Sequence, residues 1–149
     1  MIHHVWTVLC TRAVIDRDTN NVTLQNVIEQ LNVQGEPRPG ARLNGSYVIM
    51  TLWSRADMDV PCTGFVRLTY LSPSGVALDA FETQVDLSGI TRRTRTRVSF
   101  QGLPVEEGGL YTFRVELWDD PEGAWHQVAT VPLEVVFISP ETGQRQSKP

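Results

Sequence analysis

The stretch Gly109-Leu110-Tyr111-Thr112-Phe113-Arg114-Val115-Glu116-Leu117 decides how this chain is read. After the glycine, Tyr111, Phe113, Val115 and Leu117 recur at every second position with Thr112, Arg114 and Glu116 between them. That is the period of a strand with one apolar and one polar face. Outward from this stretch the same period returns between clusters of Gly, Pro, Asn, Asp and Ser, and helical spacing is scarce. It predicts about eight strands, near residues 2–15, 22–34, 46–54, 63–71, 76–87, 91–101, 110–118 and 126–138. Asp16-Arg17-Asp18-Thr19-Asn20-Asn21, Ser72-Pro73-Ser74-Gly75, Leu87-Ser88-Gly89 and Asp119-Asp120-Pro121-Glu122-Gly123 supply turns. Pro37 and Pro39 make the segment 35–40 a loop, because neither donates to a ladder. Val27-Ile28-Glu29-Gln30-Leu31 is compatible with a helix, but its flanks keep it a strand.

With 149 residues there is room for one domain, expected over 1–138, followed by a polar tail over 139–149. Hydrophobic residues make up 41% and charged ones 20%, which argues for a folded chain. Thirteen basic residues against 17 acidic ones give a net charge of -4, which disfavours nucleic acid or an anionic membrane as partner. The opening residues lack the basic and small-residue features of a secretory signal, and no run has the length of a membrane helix. The expectation is a soluble cytoplasmic protein whose two cysteines, Cys10 and Cys62, are buried free thiols.

Tyr111, two residues before Phe113 at the start of a late strand, resembles the tyrosine corner of immunoglobulin-like sandwiches. The fold class expected is therefore all-β, an immunoglobulin-like antiparallel β-sandwich, with Phe113 where an antibody domain has cysteine. The wider order of features is Ile15-Asp16, Thr19-Asn20-Asn21, Leu24, Asn26-Val27-Ile28, Tyr70-Leu71-Ser72-Pro73-Ser74-Gly75, Phe100-Gln101-Gly102-Leu103-Pro104 and Gly109-x-Tyr111-x-Phe113. This order resembles a family of small bacterial β-sandwich domains of unknown function. The resemblance spans about the first 137 residues and implies a fold and a bacterial or phage-like origin. It implies no catalytic residue and no cofactor.

Several groups are candidates for chemistry. Asp16, Asp18 and Asn20 place oxygens at alternate positions of one turn, as a calcium loop does, although Asn21 and Val27 stand where an EF-hand has glycine and glutamate. Arg93, Arg95 and Arg97 share one face of an extended strand and form a stripe able to meet an anion. The competing expectation pairs them with Glu82 or Asp86 of the preceding strand. His3 and His4 are adjacent and point to opposite faces, so they do not hold one ion together. No nucleophile elbow, phosphate loop, dinucleotide fingerprint or zinc-protease motif is present, and the expectation is a protein that is not an enzyme.

Three strands are apolar on both sides. Val48, Met50 and Leu52 oppose Tyr47, Ile49 and Trp53, Val66 and Leu68 oppose Phe65, and Leu9 opposes Trp6 and Val8. A sheet with two apolar faces needs a cover beyond its partner sheet. Tyr47, Ile49, Trp53 and Phe65 are accordingly expected to form an interface with a protein partner or a second copy, the alternative being cover within the chain by the 34–44 loop or the C-terminal segment. The function expected is a noncatalytic interaction or structural module, self-associating in one version. The alternative is a small-ligand or calcium-assisted carbohydrate-binding domain, in which Trp118, Trp125 and the 119–123 turn form a stacking platform.

Overall fold

The structure is a computed structural model that describes residues 1–139; the rest of the expected tail, 140–149, lies outside the described residues. Nine strands carry these residues: β1 (Ile2–Ile15), β2 (Val22–Val27), β3 (Gln30–Gln34), β4 (Arg42–Arg55), β5 (Cys62–Leu71), β6 (Ala77–Leu87), β7 (Arg93–Pro104), β8 (Gly109–Trp118) and β9 (His126–Ile138). They form a four-stranded sheet in the order β2-β1-β4-β7 and a five-stranded sheet in the order β3-β9-β8-β5-β6. The all-β class is as expected.

The strand expected over 22–34 is two strands in different sheets. Asn26 takes a left-handed backbone, φ 59°, a conformation asparagine tolerates better than most residues. Just beyond it the chain changes sheets. The Ile28 N–H still donates to the Leu9 carbonyl in β1 at 2.9 Å, while the next carbonyl, of Glu29, accepts from Glu134 N–H in β9 at 3.0 Å. β3 then runs parallel to β9, in register from Gln30 opposite Glu134 to Gln34 opposite Ile138. This corrects the wholly antiparallel expectation.

The two sheets bury one common core. Leu9, Ile49 and Trp53 come from the four-stranded sheet, and Val66, Leu68, Tyr70, Phe113, Val115 and Leu117 from the other. The Tyr70 ring stacks on Tyr111 and Phe113 at centroid distances of 5.4 and 4.8 Å. Tyr111 Oη donates to the Glu107 carbonyl at 2.7 Å, tying the start of β8 to the turn before it. Gly109 opens that strand at φ 136°, where a Cβ would lie 3.0 Å from Pro73 Cγ, so both conformation and space call for glycine. Trp53 satisfies its buried indole N–H on Thr96 Oγ1 at 2.9 Å. At one end of the core the buried Arg55 guanidinium is held by the carbonyls of Val60, Leu87 and Gly89, joining the loops after β4 and β6.

A second apolar cluster lies on the outer side of the four-stranded sheet. Cys10, Ala13, Val48 and Met50 are buried there, with Trp6, Val22 and Leu24 packed against them. The β1–β2 hairpin leans over this side, and its tip is joined to the far edge strand β7 by Arg95, which donates to the carbonyl and side-chain oxygens of Asn20. The sheet thus curls over its own outer face and makes that face concave.

Candidate functional site

β4 is buried on both sides, and the pleat settles which residues go where. Tyr47, Ile49 and Trp53 are 5%, 1% and 0% exposed and belong to the shared core. This corrects their assignment to an outer interface; alternation alone left open which set faced out, and it is Val48, Met50 and Leu52 that do. Phe65 is 46% exposed, but it belongs to the five-stranded sheet. The four residues do not share a surface.

On the outer face of the five-stranded sheet, Phe65 lies 6.0 Å from Trp118, and Trp118 5.9 Å from Trp125. Arg67 stacks on Trp125 with its guanidinium carbon 4.4 Å from the ring centre, and its Nε is 3.1 Å from Glu116 Oε1. Arg114 Nε is 3.4 Å from the same oxygen. Glu82 sits opposite Arg67 across the β5–β6 ladder. Trp118 spends its indole N–H on the Asp120 carbonyl at 2.6 Å. One ring face is therefore covered by a guanidinium, and the charges neutralise one another locally.

The Asp16–Asn21 turn closes on itself. Asp16 Oδ1 accepts the N–H groups of Asp18 and Thr19 at 2.8 and 3.0 Å, and these bonds hold its carboxyl below the usual carboxylate range. Asn20 adopts φ 60° and turns its oxygens to Arg95. Of the oxygens that the calcium reading assigned to a metal, that of Asn20 is thus taken by a guanidinium and Oδ1 of Asp16 by backbone N–H groups. Among the described residues no group of three His, Cys, Asp or Glu side chains is placed to hold an ion.

The arginine stripe is present, but its expected partners are elsewhere. β7 pairs with β4 and not with β6, so Glu82 and Asp86 belong to the other sheet. Across the β4–β7 ladder Arg93, Arg95 and Arg97 stand opposite Ser54, Leu52 and Met50. Arg97 turns to the Ala13 carbonyl at 3.4 Å and to Ser99 Oγ at 3.3 Å. Arg93 and Arg95 line a groove of about 880 Å³ between the hairpin and β7. Its apolar lining is Trp6, Ile15, Val22, Leu24 and Leu52, and its polar rim includes Asn20, Asn21 and Thr94. No Asp or Glu lines it. Its volume lies within the usual range of ligand sites, while seven of its twelve lining residues are polar, so it is wetter than a small-molecule pocket. The alternating arginines were legible in the sequence, whereas Trp6, Leu24 and Leu52 meet only through the curl of the sheet.

Both cysteines are free. Burial pushes the Cys10 thiol up, against the opposing pull of a backbone hydrogen bond at Arg12 and the Arg97 charge. Cys62, expected to be buried, is only partly so. No described helix is long and apolar enough to cross a membrane.

No protein-family model matches the chain, and no curated protein matches it either. Among solved structures it is similar to a family 123 glycoside hydrolase from Clostridium perfringens, described for glycolipid glycan hydrolysis, at 11% identity and a TM-score of 0.33. That match covers 93% of this chain, which spans 28% of the length of the hydrolase. At this score neither fold nor activity is transferred.

Proposed function

We propose that the chain is a noncatalytic binding module of the cytoplasm that engages a protein partner through the concave outer face of its four-stranded sheet. The observation that carries this reading is the groove itself. It combines an apolar floor, Trp6, Leu24 and Leu52, with two cationic side chains, Arg93 and Arg95, on a face that no second sheet covers. Aromatic and arginine side chains are the usual anchors of protein interfaces. A second copy of the chain is the other occupant the reading allows. Two free cysteines accord with a reducing compartment.

The scaffold that presents this face is read as an immunoglobulin-like sandwich. Three observations support that reading: the pairing of β4 with β7 and of β5 with β8, the parallel β3–β9 edge, and the Tyr111 bond to the Glu107 carbonyl. β1, between β2 and β4, is then an added N-terminal strand.

The test is capture of partners from host lysate by the tagged protein in three forms: wild type, Leu52→Glu in the groove and Phe65→Glu on the opposite face. Circular dichroism verifies folding, and sedimentation measures self-association. The reading expects one polypeptide, or a second copy, held by the wild type and by Phe65→Glu but lost with Leu52→Glu. Association untouched by Leu52→Glu, or lost only with Phe65→Glu, overturns it.

A further inference from the structure

We propose that the occupant of the groove is an extended acidic peptide segment, with carboxylates at alternate residues and an apolar side chain beside them. The inference rests on the binding-module reading and deepens it by assigning the chemistry of the partner.

Arg93 and Arg95 are alternate residues of one strand, so their side chains leave the same face about 7 Å apart. An extended polypeptide repeats its own side chains on one face at the same interval. Two carboxylates at positions i and i+2 of such a segment therefore meet both guanidinium groups in one register, whereas a single small anion reaches only one of them well. Leu52 stands directly across from Arg95 and Trp6 directly across from Leu52, so an apolar side chain carried beside the carboxylates reaches the apolar part of the groove.

Charge favours the same occupant. The chain as a whole is acidic, with a net charge of -4, yet no carboxylate lines the groove. Among the described residues the ion pairs are those of Arg67 and Arg114 with Glu116, on the other sheet. Arg95 is held by neutral oxygens of Asn20 and meets no carboxylate among the described residues. The Arg93 side chain, at the exposed start of β7, makes no hydrogen bond or ion pair among the described residues. A carboxylate entering here neutralises cations already positioned, and charge-assisted bonds to guanidinium are about twice as strong as neutral ones.

The probe is a fluorescein-labelled heptapeptide, Thr-Glu-Thr-Glu-Thr-Leu-Thr, followed by anisotropy, with its Gln-for-Glu and Lys-for-Glu counterparts as comparisons. The full-length wild type is expected to bind the Glu peptide at least tenfold more tightly than the Gln peptide. The Trp6 indole N–H resonance should shift during the titration. Arg93→Gln should weaken the Glu peptide several-fold, and the Arg93→Glu/Arg95→Glu double variant should prefer the Lys peptide. Because Arg95 also anchors the hairpin, the exposed Arg93 variant alone keeps the test valid if the double variant fails to fold. Equal affinity for the Glu and Gln peptides overturns the proposal. So does indifference to Arg93→Gln, or displacement of the peptide by inorganic phosphate at concentrations equal to the peptide's own. A lysate partner that depends on Leu52 but not on Arg93 would sink the acidic-peptide assignment and leave the binding-module reading standing.

Discussion

The two outer faces of this molecule carry similar side chains arranged to opposite effect. On the five-stranded sheet Arg67 and Arg114 share Glu116, Glu82 stands across from Arg67, and a guanidinium lies on the Trp125 ring. On the four-stranded sheet Arg93 and Arg95 flank Trp6 and Leu52 with no carboxylate among the groove residues. The first face satisfies its charges internally, as a solvated sheet surface does. The second leaves cations beside apolar surface in a concavity, the arrangement that a partner of opposite charge would complete. A basic stripe is informative only once the acidic residues on the same face have been located.

The sharpest way to break the distinction between inward and outward sides of the four-stranded sheet is to truncate one residue on each. Trp53→Ala removes a fully buried indole from the shared core and leaves Thr96 without its partner; it should cost about 3–5 kcal/mol, the usual range for a large aromatic. Met50→Ala empties a buried site in the outer cluster of Cys10, Ala13 and Val48, and about 2–3 kcal/mol is expected, at the lower end of its range because that cluster is small and edged by the groove. Denaturant unfolding measures both. A Met50 variant as stable as wild type would mean that the hairpin does not close over the outer side, and the groove would lose its wall.

How much of this was legible follows from particular residues. Strand positions came from local alternation, and the 110–117 run gave β8 with its core face directly. The break at Asn26 was not legible, since 22–34 contains no Gly or Pro and a single left-handed asparagine sends the chain from one sheet to the other. The facing of β4 was not legible for a different reason. Tyr47, Val48, Ile49 and Met50 are all buried, so the sequence offers no polar side to read. Which set points inward depends on the hairpin curling over β7, a contact between Asn20 and Arg95 across 75 positions. The groove shares this dependence, and so the arginine half of the site was found from the sequence and the apolar half was not.

The contrast between closed and open charges predicts smaller effects. Arg67→Gln loses an ion pair and the stacking on Trp125, each worth about 0.5–1 kcal/mol at a partly exposed site, so a loss of about 1 kcal/mol is expected. Arg93→Gln should leave stability within about 0.5 kcal/mol of wild type, as an exposed residue without partners does. Thermal unfolding of the pair compares them directly. Equal losses would place a carboxylate against Arg93 in solution and remove the asymmetry between the faces.

The smallest expected effect concerns the inner side of β1. His4 is half-buried, its Nε2 is 2.7 Å from Thr7 Oγ1, and its ring meets Trp53 edge-on at 5.6 Å. Burial lowers its pKa from the ordinary value of 6.5, so the folded state binds a proton less readily than the unfolded chain. Above pH 7 both states hold neutral imidazole and His4 contributes nothing to the pH dependence. As pH falls through 6.5 the unfolded chain protonates first, and stability declines until the folded-state pKa is passed. The slope from this one site is at most about 1.4 kcal/mol per pH unit. Urea unfolding between pH 7.5 and 5.5 should show this decline in wild type and a flatter profile in His4→Gln. A profile of equal slope in the variant would mean that the imidazole is hydrated, and that the end of the core beside Trp53 is open to water.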